Sequence, residues 1–119
     1  MPATSPEQLS ALFAKAIQAG DLDAVIALYE PDAVLHNQSG ELRSGRDAIR
    51  QEMTPFAAMK PDFSINVDKV ITSGDIALLH NTWSMSNPNM SGRAQEVAHR
   101  QPDGTWLYII DYVIPVGSK

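Results

Sequence analysis

The sequence predicts an α+β domain, with helices first and then a meander of long antiparallel strands, the helices lying on one face of a curved sheet. Three observations predict it. Apolar residues recur at helical spacing as far as Pro61. Beyond Pro61 the period shortens to strict alternation. Ser73-Gly74-Asp75, Asn87-Pro88-Asn89 and Pro102-Asp103-Gly104 then punctuate the second half as turns. A chain of 119 residues makes one domain, 1–119, without repeat or linker.

Ser5-Pro6-Glu7-Gln8 reads as a helix start, with Ser5 as cap, Pro6 at the first helical position and Gln8 completing a capping box. Leu9, Leu12, Phe13 and Ile17 share one face, and Gly20 ends the helix where a left-handed residue is wanted. Asp21 caps a second helix with Leu22, Val25, Ile26 and Tyr29 as its apolar stripe, stopped by Pro31. Residues 32–37 read as a short strand. Ser44 and Asp47 form a second capping box for a helix through Ile49, Met53 and Phe56, kinked at Pro55. Phe63, Ile65 and Val67 alternate until Asp68-Lys69 interrupts, which is the pattern of a bulge. Strands follow over 76–86, 93–101 and 106–114.

The net charge of −5 argues against nucleic acid and anionic membrane surfaces as partners. The absence of cysteine removes disulfides, thiolate metal sites and a cysteine nucleophile. Met1 to Ser10 has neither a basic region nor an apolar run, so no signal peptide is expected and a cytoplasmic location is. The three histidines lack metal-ligand spacing, and neither metal nor cofactor is expected.

Tight turns would set Trp83 opposite Ala94, Asn81 opposite Glu96, Glu96 opposite Asp111 and Ala98 opposite Ile109. One face then mixes alanines and Trp83 with a row of Asn81, Glu96 and Asp111, a poor core but a plausible pocket floor. Leu107, Ile109 and Val113 share that face. The other face carries His80, Val97, His99, Tyr108, Ile110 and Tyr112, with Trp106 beside them. That face is too apolar for water and too polar for a deep core, so it reads as a homodimer interface.

The stretch "AGDLDAVIALYEPDAVLHNQSGELRSGRDAIR" resembles the opening of nuclear transport factor 2-like domains, in particular the ketosteroid isomerase and SnoaL-like branches. "SGRAQEVAHRQPDGTWLYIID" resembles the closing hairpin of small SnoaL-like proteins. The resemblance implies a cone-shaped sheet around a long helix, an open pocket inside the cone and a dimer through the outer sheet face. Ketosteroid isomerase-like enzymes pair a carboxylate base on the first strand with a tyrosine of the first helix and an aspartic acid on the sheet. Those positions fall here on Asn37, on Phe13 and near Val97, so steroid isomerisation by that mechanism is excluded. SnoaL-like cyclases carry an acid/base aspartate on the last strand, and "TWLYIIDYV" places Asp111 there.

Two neighbouring carboxylates resist ionising together, so Asp111 and Glu96 would divide into base and acid. Asn37 and Asn81 would bind a developing oxyanion, and Phe13, Trp83, Met53 and Phe56 would line the pocket. The expected reaction is then cofactor-free proton transfer next to a carbonyl: isomerisation, cyclisation or dehydration. Each residue has a plainer role beside this one. Asp111 could simply accept from Trp83 and Asn81, Glu96 could pair with Arg93 or Arg100, and Asn37 could close the following turn. Arg43, Arg46 and Arg50 read as a solvated helix entrance that could favour an anionic ligand. The competing class is a binding or dimerisation module whose vestigial pocket is filled by Trp83, Met53 and Phe56.

Overall fold

The computed structural model describes residues 2–86 and 89–114. Asn87 and Pro88 of the second expected turn lie outside the described residues. Helix α1 (Pro6–Ala19) opens with Pro6, whose missing N–H would have had no helical partner. Ser5 holds the N-cap position, but its side chain makes no capping bond. Thr4 engages Gln8 instead, its N–H and Oγ1 donating to Gln8 Oε1 at 2.7 and 3.0 Å. Gly20 ends the helix at φ 70°. A Cβ there would also crowd Lys60 Cγ at 2.9 Å and the Ala57 carbonyl at 3.0 Å, beside the positive φ that favours glycine.

Helix α2 (Leu22–Ile26) is capped by Asp21, which accepts from the Ala24 N–H at 3.1 Å. Tyr29 does not belong to it. Five residues make too short a helix to carry a stripe that far, and Tyr29 instead opens strand β1 (Tyr29–His36), ahead of Pro31. A three-residue strand β2 (Leu42–Ser44), not foreseen, pairs back on β1. It takes Ser44 into the sheet, so Gly45 at φ 88° caps helix α3 (Arg46–Met59) and the Ser44–Asp47 capping box does not form. Helix α3 runs through Pro55 to Met59.

Strands β3 (Asp62–Ser73), β4 (Ile76–Ser86), β5 (Met90–Arg100) and β6 (Trp106–Val113) complete one sheet in the order β2-β1-β6-β5-β4-β3. All pairs are antiparallel except β1 with β6, which brings the first strand beside the last. The bulge expected at Asp68 is present: pairing with β4 passes from Val67 to Lys69. The β4–β5 register differs from expectation by two residues, with Asn81 opposite Ala94 and Trp83 opposite Gly92. The connection is longer than a tight turn, since Met85 pairs with Met90. A shift of two keeps every side chain on its face.

The β5–β6 register carries a correction of more consequence. Glu96 faces Asp111 as expected, but Val97 pairs with Ile110 and Ala98 with Tyr108. Ile109 is the extra residue of a second bulge, which exchanges the faces of everything before it. Trp106 and Tyr108 therefore turn inward and are buried, while Leu107 leaves the inner face. Tyr108, assigned to the outer face from alternation, is fully enclosed in the core. The inner face of β4, β5 and β6 packs with α1 and α3 around Leu9, Ile17, Ile49, Met53 and Leu79. Among the described residues no helix is long and apolar enough to cross a membrane.

Candidate functional site

A pocket of about 110 Å³ opens between α1, α3 and the inner face of the sheet. Helix α1 contributes Phe13, helix α3 contributes Met53 and Phe56, and β4 contributes Trp83. All eight residues singled out from the sequence line this one pocket: those four with Asn37, Asn81, Glu96 and Asp111. The pocket is open, not filled by Trp83, Met53 and Phe56. Ring centroids of Phe13 and Phe63 lie 5.9 Å apart, and those of Phe63 and Trp83 6.1 Å, so one wall is a continuous aromatic surface. Trp83 rests against Gly92 across the β4–β5 pair. A Cβ on Gly92 would meet the indole Cζ2 at 2.9 Å.

The deep end is polar and enclosed. Asp111 and Glu96 are cross-strand neighbours, 4% and 6% exposed. Burial raises Asp111 to about 6, against the opposing pull of a hydrogen bond from Tyr29. Glu96 is raised well above the usual carboxylate range, by burial first and then by the charge of Asp111. Asn81 donates Nδ2 to Glu96 Oε1 at 2.6 Å. Burial and mutual repulsion thus keep the two carboxyls from ionising together, with Glu96 the more strongly raised of the pair.

Two tyrosines that the sequence did not assign to the site complete it. Tyr29 donates its hydroxyl to Asp111 Oδ2 at 2.6 Å. Tyr108 lies at a centroid distance of 5.3 Å from Tyr29 and against Ser10 and Glu96, without closing a hydrogen bond of ordinary geometry. Both phenols are raised above 10 by burial and by the neighbouring carboxylates, so both stay protonated. The signal that could have found Tyr29 is a hydroxyl on an otherwise apolar stripe. Tyr108 depended on a bulge that alternation does not reveal.

The plainer roles divide. Asp111 takes neither Trp83 nor Asn81 as its partner. Among the described residues Glu96 pairs with no cation: Asn81 is its partner, and Arg100 is bound to Asp75. Asn37 does close its turn: Oδ1 accepts from the N–H groups of Ser39 and Glu41 at 3.0 and 2.9 Å. Its Nδ2 is engaged by Glu41 and Glu52 at 3.2 and 3.1 Å, so the amide has no donor free for an oxyanion. His36 points to the other face, edge-on to Tyr112 at 4.9 Å. The three arginines are also committed. Arg43 pairs with Glu52, Arg50 with Asp23, and Arg46 donates twice to the Tyr29 carbonyl. Among the described residues no group of three or more side chains is arranged to hold a metal.

An α+β fold whose curved sheet and helices enclose a pocket with a buried carboxyl pair defines a class of small pocket-bearing domains. The sequence matches the SnoaL-like domain model over residues 9–109, and the chain belongs to that family. No curated protein matches it significantly. Among solved structures it superposes with TM-score 0.85 at 15% identity on a Thiobacillus denitrificans protein assigned as a calcium/calmodulin-dependent protein kinase type II association domain, covering 98% of both chains. A Streptomyces avermitilis protein of the NTF2-like family, assigned as a dehydratase, gives 0.76 at 19% identity over 94% of each chain. A ketosteroid isomerase-like protein from Erwinia carotovora atroseptica gives 0.68 at 19% identity, again over 94% of each. At such identities these likenesses establish the fold alone.

Proposed function

We propose that the protein is a cofactor-independent enzyme that moves a proton next to the carbonyl group of a small, mainly apolar compound. One observation carries this: an unequal carboxyl pair, Asp111 and Glu96, sits at the bottom of an open apolar pocket. Asp111 takes a proton from the carbon beside the carbonyl. The electron pair moves onto the carbonyl oxygen, which receives the proton of Glu96. Returning the Asp111 proton to a different carbon while Glu96 recovers its own gives the isomer, with no net change in protons. Tyr29 holds Asp111 Oδ2 and leaves Oδ1 to reach the substrate. A chain without cysteine needs no oxidising compartment to fold, in keeping with a cytoplasmic site of action.

The test is hydrogen–deuterium exchange at the carbon beside the carbonyl of cyclohexanone, followed by NMR in deuterated buffer. Exchange above background with the wild type, lost in Asp111→Asn with the fold intact by circular dichroism, supports the reaction. No exchange with any small cyclic ketone tried would end this proposal.

A second reading, association through the outer sheet face, is favoured by one observation. Ile110, Leu78, Ile76 and Tyr112 are 45%, 39%, 41% and 36% exposed on that face, far more apolar surface than a sheet facing water needs. We infer that two copies pair there, with His80, Val97 and His99 inside the contact. The Thiobacillus denitrificans neighbour, whose name assigns an association role, is in keeping with it. Dimerisation and catalysis are compatible, because they use opposite faces.

A further inference from the structure

Among the described residues, the ionisable groups lining the pocket are all carboxyls: Asp111, Glu96 and Glu52, with no lysine, arginine or histidine. The arginines of the helix entrance are already paired: Arg43 with Glu52 and Glu41, Arg46 with the Tyr29 carbonyl, Arg50 with Asp23. A carboxylate or phosphate entering this space would be desolvated beside an enclosed anion without a counter-charge.

The unpartnered polar atoms say what is accepted instead. Asp111 Oδ1 and Asn81 Oδ1 are enclosed at the deep end without hydrogen-bond partners, and both are acceptors as they stand. Gln38 Nε2, on the pocket lining, is an enclosed donor without a partner. A ligand that reaches such atoms supplies the bonds they lack. The volume, about 110 Å³, is of the order of a cavity of roughly 150 Å³ that takes benzene, so the space suits a ligand of about one ring.

Resting on the proton-transfer reading above, we propose that the substrate is an uncharged hydroxy-carbonyl compound about one ring in size, its carbonyl oxygen at Glu96, the carbon beside it at Asp111 and its hydroxyl donating to Asn81 Oδ1. The site rejects carboxylate- and phosphate-bearing analogues. This goes beyond the reaction type to the polarity, charge and size of what enters.

Three probes of matched shape test it on the full chain at neutral pH by calorimetric titration: cyclohexanone, 3-hydroxycyclohexanone and cyclohexanecarboxylate. The hydroxyl adds a bond to an enclosed acceptor that otherwise has no partner and should tighten binding about tenfold over cyclohexanone. That gain should vanish in Asn81→Ala, in which the two ketones bind alike. The carboxylate should bind about tenfold or more weakly than cyclohexanone. A carboxylate that binds as well as the ketone, or a hydroxyl that adds nothing, overturns the inference. Should cyclohexanone exchange its protons all the same, the reaction stands without it. If no probe binds, this inference falls, while the reaction is judged by ketone exchange alone.

Discussion

Tyr29, the first residue of β1, donates its hydroxyl to Asp111 on β6 across 2.6 Å, tying the two parallel strands together inside the core. The bond favours the charged form of Asp111, while burial opposes it and leaves the carboxyl at about 6. A base must be ionised, so activity that needs Asp111 rises with pH through about 6. Removing the hydroxyl in Tyr29→Phe takes away stabilisation of the anion, and the rising limb should move to higher pH by roughly one unit or more. The pH dependence of ketone exchange for the two proteins checks this. A limb that stays in place would mean that Asp111 is not the titrating base.

The same carboxyl makes stability depend on pH in a defined direction. Its folded value, about 6, lies above the ordinary 3.8, so the native state binds this proton more tightly than the unfolded chain does. The stability it contributes is full below the ordinary value and is lost as pH climbs through about 6. Asparagine at 111 avoids the buried charge and can still accept from Tyr29. Asp111→Asn should therefore match or exceed the wild type in melting temperature near pH 8, by up to roughly 3 kcal/mol, with the gap closing toward pH 4. A variant that melts well below the wild type near pH 8 would mark Asp111 as a group that holds the sheet.

What the sequence could show follows from how local its signals are. The caps at Gly20 and Asp21, the bulge at Asp68 and the facing of Glu96 and Asp111 each depend on a few neighbouring residues and turn chemistry. Tyr29 and Tyr108 depend on distant events. Tyr29 enters the site because β1 docks on β6, a parallel contact across most of the chain that no periodicity announces. Tyr108 enters because one extra residue, Ile109, reverses the face of the strand before it. Asn37 shows the opposite limit: its place at the pocket was readable, but the engagement of its amide by Glu52 required α3 to be in position.

Gly92 sets how far Trp83 can lie back from the pocket. A methyl group there would approach the indole to 2.9 Å, so Gly92→Ala should drive Trp83 forward or strain the strand pair, at a cost of about 1–3 kcal/mol. The pocket should narrow, and ketone affinity should fall more than the melting temperature alone explains. Adding Trp83→Phe supplies the missing space and should recover much of both losses. An alanine variant with unchanged melting temperature and affinity would show that the indole does not depend on that glycine.

Pairing through the outer face makes its own prediction. Ile110, 45% exposed, sits beside Tyr112 on β6 opposite Val97. Ile110→Glu places a charge in the middle of the proposed contact and should turn a dimer into a monomer in light scattering, with ketone exchange retained on the other face. A wild type that is monomeric at high concentration would remove the basis for the pairing.

Asn37 separates a turn-holding role from a chemical one. Asn37→Asp keeps an oxygen to accept from the Ser39 and Glu41 N–H groups, so the turn itself should survive. It replaces the Nδ2 that joins Glu41 and Glu52 with a third carboxylate, turning two hydrogen bonds into repulsion. Like charges so placed favour protonation, so the destabilisation should reach roughly 1–3 kcal/mol at neutral pH and shrink as the solution is acidified through the carboxylate range. The rising limb of activity should stay where the wild type has it, because Asp111 keeps Tyr29 and its own surroundings. Melting curves across pH, read beside the exchange profile, decide the matter. A shifted limb with unchanged stability would return Asn37 to the chemistry.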